Sequence, residues 1–272
     1  TALAVRTGAV RLRFAVPQEP ELPGHRRALY PASGGAPRPS RVTPGSGSDR
    51  YVLPVAGARR PGERLYRLLV ILGQPLRAWC RLEVRGLEHL REPGGVLVVS
   101  NHDSWLDPLA LGEACMRVRR PLRFLAKSGL WKNALLARLL DGIRQVPLQR
   151  GAGDHAALQV AVEALADGEA VCIFPEGTIS RGERLRARRG VSRIAEAAPG
   201  ARIVLVSVEG GTDLVRFPRR PRVTVTFFAP ELGQARRGED QQLLAERLLD
   251  EIRERVPPVP AGRRAAAERP LA

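Results

Sequence analysis

The sequence lacks the features that mark several common protein classes. Its three cysteines, Cys80, Cys115 and Cys172, are far apart and form no CxxC pair. Neither a zinc ribbon nor a disulfide framework is indicated, and a reducing compartment fits best. No apolar run approaches the roughly 18–20 residues of a transmembrane helix, and the first residues lack the continuous apolar core of a signal peptide. Aromatic residues make up only 4% of the chain, which argues against a nucleic-acid surface built on base stacking.

Positive charge is what the sequence has in excess. Lys and Arg together number 44 against 28 acidic residues, a net charge of +16, and all but Lys127 and Lys132 of these basic residues are arginine. Such a surface favours polyanionic partners: nucleic acid, anionic lipid head groups or phosphorylated substrates. No recognised DNA- or RNA-binding motif is present, so no nucleic-acid partner is expected, although a non-enzymatic basic nucleic-acid-binding protein stays an alternative.

The composition divides the chain into three parts. Residues 1–60 contain eight prolines and seven glycines with no periodic apolar pattern, which predicts a disordered basic leader. Residues 61–256 are predicted to form one domain, long enough to bury an ordinary core. Residues 257–272, from PPVP onward, are predicted to form a flexible tail.

Strands and helices alternate within the central part. The predicted strands are 94–100, 122–127, 169–177, 202–210 and 222–229, with 143–150 as a short strand or extended turn. The predicted helices are 108–118, 131–142, 154–168, 192–198 and 239–256. This alternation predicts an α/β fold with a mostly parallel central sheet flanked by helices.

The segment 64–84 is predicted to be a helical, basic amphipathic stretch that is broken near Gly73 and Pro75. Leucines and a tryptophan alternate there with arginines. This composition suits an amphipathic, membrane-interfacial segment on anionic lipid. The alternative is a helix packed in the core, with its basic face in solvent.

Polar residues follow two of the predicted strands, where an α/β sheet usually binds its ligands. The first group is NHDSWLD at 101–107. A neutral His102 can take a proton from a hydroxyl if Asp107 holds its other ring nitrogen. Alternatively, Asp107 only caps the next helix and His102 is a satisfied turn residue. Asn101 and Asp103 are expected to shape the turn.

The second group is FPEGTISR at 174–181. A glycine-containing turn with hydroxyl groups and a nearby arginine can cradle a phosphate. The Glu176 side chain could bond a substrate hydroxyl or hold a cation, and Gly177 and Thr178 would shape the same turn. An ordinary strand-to-helix turn is the alternative. Arg150, which ends QVPLQR, carries no weight by itself among so many arginines.

Taken in order, these motifs resemble those of the glycerolipid acyltransferase superfamily, and of the lysophosphatidic acid acyltransferases in particular. The family motif NHxxxxD is matched by Asn101, His102 and Asp107, and its FPEGTRS motif is matched by 174–180 except at Ile179. QVPLQR matches a third motif loosely and IVLVSVEG (203–210) a fourth one weakly. The resemblance covers about residues 65–255. Ile179 stands where the family often has Arg, so Arg181 or Arg188 could supply that charge.

The resemblance implies transfer of a fatty acyl group from acyl-CoA or acyl-carrier protein to the hydroxyl of a lysophospholipid. The expected acceptor is 1-acyl-sn-glycerol 3-phosphate, which gives phosphatidic acid in phospholipid biosynthesis. His102 would be the general base and Asp107 its orienting partner. Arg150 would pair with the acceptor phosphate, Glu176, Gly177 and Thr178 would shape that site, and backbone N–H groups near Gly177 would bind the oxyanion. No metal or redox cofactor is implied.

The implied location is the cytoplasmic face of the cell membrane, with the protein bound peripherally or monotopically to the phospholipid surface. Other acceptors stay open, namely glycerol 3-phosphate or another lysolipid. A family member that has lost activity and only binds lipid is a further alternative, which the presence of both His102 and Asp107 disfavours.

Overall fold

The computed structural model describes residues 63–74, 79–149, 155–212 and 220–259. The strands are β1 Arg81–Arg85, β2 Val96–Ser100, β3 Leu122–Lys127, β4 Val146–Leu148, β5 Ala170–Ile173, β6 Arg202–Glu209 and β7 Arg222–Phe228. The helices are α1 Glu63–Leu72, α2 Asp107–Met116, α3 Ala134–Gly142, α4 His155–Ala166, α5 Gly190–Ala197 and α6 Gln241–Arg255. The predicted leader and most of the predicted tail lie outside the described residues.

The seven strands form one sheet in the order β1-β7-β6-β2-β5-β3-β4. Of its six neighbouring pairs, only β6 and β7 are antiparallel. Each strand and helix predicted between residues 94 and 256 has a counterpart in the structure. The predicted α/β class, a mostly parallel sheet flanked by helices, is therefore confirmed.

The central strand β2 shows how the sheet separates two cores. Successive side chains of a strand point to opposite faces. Leu97 and Val99 pack into a core shared with α4, α5 and α6, whereas Val96 and Val98 pack into a core shared with α2. All five residues of β2 are buried, which explains its nearly continuous apolar sequence. The polar residues that follow it are consequently held at a rigid sheet edge.

The prediction that the helical segment runs to residue 84 is wrong. Helix α1 ends at Leu72, and Arg81–Arg85 is an edge strand that pairs in parallel with β7. Charged residues alternate with Leu82 and Val84 in this strand, which is the two-residue period of a half-exposed strand. Among the described residues, no helix is both long and apolar enough to cross a membrane.

Helix α3 also starts later than predicted. Residues Ser128–Lys132 form a 3₁₀ turn rather than the first turn of this helix. The Asn133 side chain then accepts hydrogen bonds from the backbone N–H groups of Leu135 and Leu136, both at 3.0 Å. This is the bonding of a helix N-cap, so Asn133 sets the start of α3.

Candidate active site

The two predicted motif loops meet because the strands that precede them are neighbours. Strands β2 and β5 pair in parallel, with Val99 opposite Ile173, so both chains leave the sheet at the same edge. The loop 101–106 follows β2 and the loop 174–189 follows β5. In open α/β sheets this carboxyl edge is the usual ligand site.

The backbone of His102 is fixed on both sides by the second loop. Its N–H donates to Oε2 of Glu176 at 2.8 Å, and its carbonyl oxygen accepts from the N–H of Ser180 at 2.8 Å. Both bonds are made by main-chain atoms of residue 102. The position of the histidine is therefore set independently of its own side chain.

The imidazole of His102 is held by Asp107, the first residue of α2. The Nδ1 atom lies 3.1 Å from Oδ2 of Asp107, and the same oxygen accepts from the backbone N–H groups of Asp103 and Ser104, each at 2.8 Å. Because a carboxylate only accepts, Nδ1 carries the proton and Nε2 keeps its lone pair. Asp107 bonds the preceding turn and the imidazole, and Leu106 takes the N-cap position, so the capping alternative does not hold.

Asp107 is costly to keep charged in this position. Its side chain is 1% exposed, and burial raises the pKa of its carboxyl group, while the hydrogen bonds from His102 and from the backbone of Ser104 and Asp103 act in the opposite direction. Its Oδ1 has no hydrogen-bond partner among the described residues. A Cβ at Gly211 would lie 2.7 Å from this oxygen, so only glycine fits beside it.

The ring plane of His102 is set by an aromatic neighbour. The imidazole stacks on Phe174, with ring centroids 4.3 Å apart and 19° between the planes. The His102 side chain remains 17% exposed and lines a cavity. With Nδ1 bonded to Asp107, Nε2 is the nitrogen left for a substrate in that cavity.

A buried ionic cluster lies behind the histidine. Arg253, in the last turn of α6, contacts Asp103 through Nη1 at 2.9 Å and Nη2 at 2.8 Å, and Glu176 through Nε at 3.1 Å and Nη2 at 2.5 Å. Burial raises the pKa of the Glu176 carboxyl group, and Arg253 opposes this shift. Burial by itself would lower the pKa of Arg253, but its bonds to the two carboxylates raise it overall.

This cluster changes the interpretation of Glu176. One of its carboxylate oxygens is bonded to the His102 N–H and the other to Arg253, and the side chain is fully buried. The expectation that Glu176 bonds a substrate hydroxyl or a cation does not fit this placement. Sequence reasoning missed Arg253 altogether. The available signal was that it follows the apolar Leu249 by four residues, which places both on one face of the predicted helix.

Asn101 and Asp103 hold the turn that presents His102. The Asn101 side chain bonds both backbone groups of Val208 on β6, donating to its carbonyl oxygen at 2.9 Å and accepting from its N–H at 2.8 Å. Its amide also donates to Asp103 at 2.8 Å, which accepts a further bond from the Ser180 hydroxyl. Strand β6 and both loops are thus joined around the histidine.

Gly177 and Thr178 also line the cavity. The Gly177 N–H donates to the Phe174 carbonyl oxygen at 2.9 Å, so this N–H group is not available for the oxyanion expected there. Gly177 has φ +68°, and a Cβ at this position would lie 2.6 Å from Nε of Arg188. The glycine is needed both for its backbone angle and for the space that Arg188 occupies. Arg150 lies outside the described residues.

The cavity has a volume of about 1120 Å³ and two kinds of wall. One wall is apolar and is formed by residues of α1, β1, α2, β3 and the segments that flank α3, namely Leu69, Leu82, Leu109, Phe124, Leu130 and Ile143. The other is basic and comes from the loop after β5 and from α5, namely Arg186, Arg188, Arg189 and Arg193. Such a cavity suits a ligand with a long apolar part and an anionic group. In the described segments, His, Cys, Asp and Glu side chains form no group of three that could hold a metal ion.

Comparison with known proteins indicates which family the chain resembles. The family model described as Acyltransferase matches residues 81–209, the stretch that contains both motif loops. The match covers just under half of the chain and confirms the family resemblance recognised from the motifs. Helix α6, with Arg253, lies beyond the matched stretch.

Two curated relatives and one solved structure are similar to the chain. A lyso-ornithine lipid O-acyltransferase of Pseudomonas aeruginosa is 31% identical over 150 residues, which is 55% of each chain. A 1-acyl-sn-glycerol-3-phosphate acyltransferase of Bacillus subtilis is 27% identical over 115 residues, 42% of this chain and 56% of the relative. The chain therefore spans about half the length of these relatives. The crystal structure of a 1-acyl-sn-glycerophosphate acyltransferase from Thermotoga maritima shares the fold, with a TM-score of 0.56 and 24% identity over 72% of this chain and 79% of the other.

Proposed function

We propose that the protein is an O-acyltransferase that moves a fatty acyl group from acyl-CoA or acyl-carrier protein to the free hydroxyl of a lysophospholipid. The proposed acceptor is 1-acyl-sn-glycerol 3-phosphate and the product is phosphatidic acid. One observation carries the proposal: His102 lines a large cavity, and its Nδ1 is bonded to Asp107. Nε2 is therefore left as a base for a bound hydroxyl.

The reaction follows from this pair. Nε2 of His102 takes the proton of the acceptor hydroxyl as its oxygen attacks the thioester carbonyl carbon, and the charge of Asp107 stabilises the imidazolium that forms. The tetrahedral intermediate then collapses, the C–S bond breaks, and the leaving thiolate takes the proton back from the imidazolium. An ester and a free thiol result, and His102 returns to its neutral form.

Arg188 supports an acceptor with a phosphate group. Two other arginines of the basic wall are bonded within the protein: Arg186 pairs with Glu246 at 3.1 Å, and Arg189 donates to Gln242 at 3.3 Å. The guanidinium groups of Arg188 and Arg193 have no such partner among the described residues, and that of Arg188 lies beside Gly177 of the motif loop. A phosphate in the cavity would offer it charge-assisted hydrogen bonds. Arg150 remains a predicted second contact to this phosphate.

Replacing Arg188 with methionine is expected to raise the acceptor KM for 1-acyl-sn-glycerol 3-phosphate about tenfold to a hundredfold. The reason is that a hydrogen bond to a charged group contributes about 1.5–3 kcal/mol. The KM for the acyl donor should change less. Arg184→Met is the matched control, because Arg184 is exposed and paired with Asp250. Steady-state kinetics with both substrates varied give the result, and a rise confined to the donor KM would assign Arg188 to the donor instead.

An apolar surface beside the cavity supports peripheral binding to a phospholipid membrane. Leu68 and Ile71 lie three residues apart on α1 and are 49% and 63% exposed, while Leu69 of the same helix lines the cavity. Leu109 and Leu130 line the cavity too and are themselves exposed. Lipid would cover these side chains and bring the amphiphilic acceptor to the site. The proposed location of this contact is the cytoplasmic face of the cell membrane.

The double substitution Leu68→Ser and Ile71→Ser is expected to lower the vesicle-bound fraction several-fold, because each leucine or isoleucine withdrawn from water contributes up to about 1.5–3 kcal/mol. Turnover of a water-soluble short-chain acceptor should fall much less. Flotation on vesicles that contain anionic lipid measures the first quantity. Leu243→Ser is the control, since Leu243 is 64% exposed but belongs to α6 on the other side of the sheet. Equal losses of binding and turnover would mean that α1 mainly supports the fold.

A second acceptor is favoured by one comparison. The Pseudomonas relative, a lyso-ornithine lipid O-acyltransferase, shares 31% identity, and a lyso-ornithine lipid also combines an acyl chain, a hydroxyl and an anionic group. The proposed function is tested with purified protein, labelled acyl-CoA or acyl-carrier protein, and a panel of acceptors analysed by mass spectrometry. The panel contains 1-acyl-sn-glycerol 3-phosphate, lyso-ornithine lipid and glycerol 3-phosphate. Preferred formation of phosphatidic acid is expected, and acylation of lyso-ornithine lipid alone would replace the proposed acceptor.

A further inference from the structure

We infer that Arg253 is a positioning residue for the catalytic histidine, an inference that rests on the proposed function. It bonds two carboxylates from the two motif loops, Asp103 and Glu176. Glu176 in turn accepts the backbone N–H of His102. Only Glu176 thus lies between the Arg253 guanidinium and the main chain of His102.

The path from Arg253 to the histidine is short and buried throughout. Arg253, Asp103 and Glu176 are 3%, 6% and 2% exposed, so water does not compete for these bonds. The planar guanidinium bonds Asp103 through Nη1 and Nη2 and Glu176 through Nε and Nη2, so Nη2 bonds both carboxylates. Its fork fixes the distance between the two loops and the orientation of each carboxylate. A freely rotating carboxylate at Glu176 would no longer hold the His102 peptide in one position.

The arginine comes from a part of the chain outside the stretch 81–209 that the family model matches. Helix α6 packs on the sheet through Leu244, Leu248 and Ile252, all buried in the same core as β2. Its last turn thereby brings Arg253 to the carboxyl edge of the sheet. Helix α6 consequently contributes to the candidate active site in addition to covering the sheet.

Arg253→Lys tests the inference, because lysine keeps the charge but cannot bond both carboxylates as a fork. We expect cooperative melting to be retained, kcat to fall roughly tenfold to a hundredfold as a misplaced base would require, and both KM values to stay within about threefold. The NMR resonance of the proton on Nδ1 of His102, which is assigned by its loss in a His102→Gln variant, should shift or broaden. Arg247→Lys is the matched control, because Arg247 is also on α6 and also contacts two carboxylates, those of Glu239 and Glu251.

The test separates this inference from the proposed function. If the wild-type protein acylates no acceptor, the proposed function fails, but the NMR comparison still decides whether Arg253 orders His102. If Arg253→Lys does not melt cooperatively, Glu176→Gln gives the same comparison while the Asp103–Arg253 pair stays intact. A folded variant with a wild-type His102 resonance, or with wild-type kcat in an active enzyme, would overturn the inference.

Discussion

Replacement of His102 with alanine is expected to lower acyl transfer by at least about 10²–10⁴-fold, the usual contribution of a general base. Among the described side chains that line the cavity, only that of His102 is bonded to the Asp107 carboxylate. The protein should still fold, because the main-chain bonds from residue 102 to Glu176 and Ser180 do not involve the imidazole. Thermal melting measures folding and vesicle flotation measures lipid binding, and both should stay close to wild type.

His89→Ala is the matched control for this variant. His89 lies in the 3₁₀ turn Leu87–Leu90 after β1, at the sheet edge opposite the site, and its replacement should leave kcat within about twofold of the wild-type value. A folded His102→Ala protein that transfers acyl groups at a near wild-type rate would remove His102 from the mechanism. The functional proposal would lose its main support with it.

The substitution Asp107→Asn is expected to slow transfer by a similar factor, about 10²–10⁴-fold. The backbone N–H groups of Asp103 and Ser104 both point at Oδ2 of Asp107, so the asparagine must keep its oxygen there. The Nδ1–H tautomer of His102 is then retained, and what is lost is the negative charge that balances the imidazolium. We therefore expect a fall in kcat that exceeds the change in either KM.

Stability should respond differently from activity. Burial raises the pKa of Asp107, which means that the folded protein disfavours its charged form, and a neutral amide relieves that cost. The melting temperature of Asp107→Asn should consequently stay within a few degrees of the wild-type value. Asp250→Asn, which changes an exposed carboxylate, serves as the control with an unchanged rate. Parallel losses of stability and rate in Asp107→Asn would indicate that Asp107 only holds the turn.

Local pattern was sufficient to predict six of the seven described strands and the two motif loops. Polar residues follow strands β2 and β5, and the ends of parallel neighbours lie at the same edge of a sheet. By contrast, strand β1 was missed because its leucine and valine continue the apolar positions of the preceding helix. Its identity depends on pairing with β7, which follows it by more than a hundred residues.

The ionic cluster could not be predicted for a related reason. Glu176 and Asp103 are motif residues with several possible roles, and only the approach of α6 decides between them. That approach is fixed by the packing of α6 on the sheet, a tertiary property with no local signature. The periodicity of α6 indicates a buried position for Arg253, but it does not say which carboxylates are its partners.

The central claim is that an acceptor hydroxyl, deprotonated by His102, attacks an acyl thioester. The measurement that tests it most directly uses lysophosphatidate and lyso-ornithine lipid with ¹⁸O in the free hydroxyl, together with acyl-CoA or acyl-carrier protein, and follows the product of the wild-type and His102→Ala proteins by mass spectrometry. The wild-type protein should form an ester that retains ¹⁸O, and the variant should form at least about a hundredfold less of it. An ester without the label, equal amounts of ester from both proteins, or no ester from the wild-type protein with either acceptor would contradict the claim.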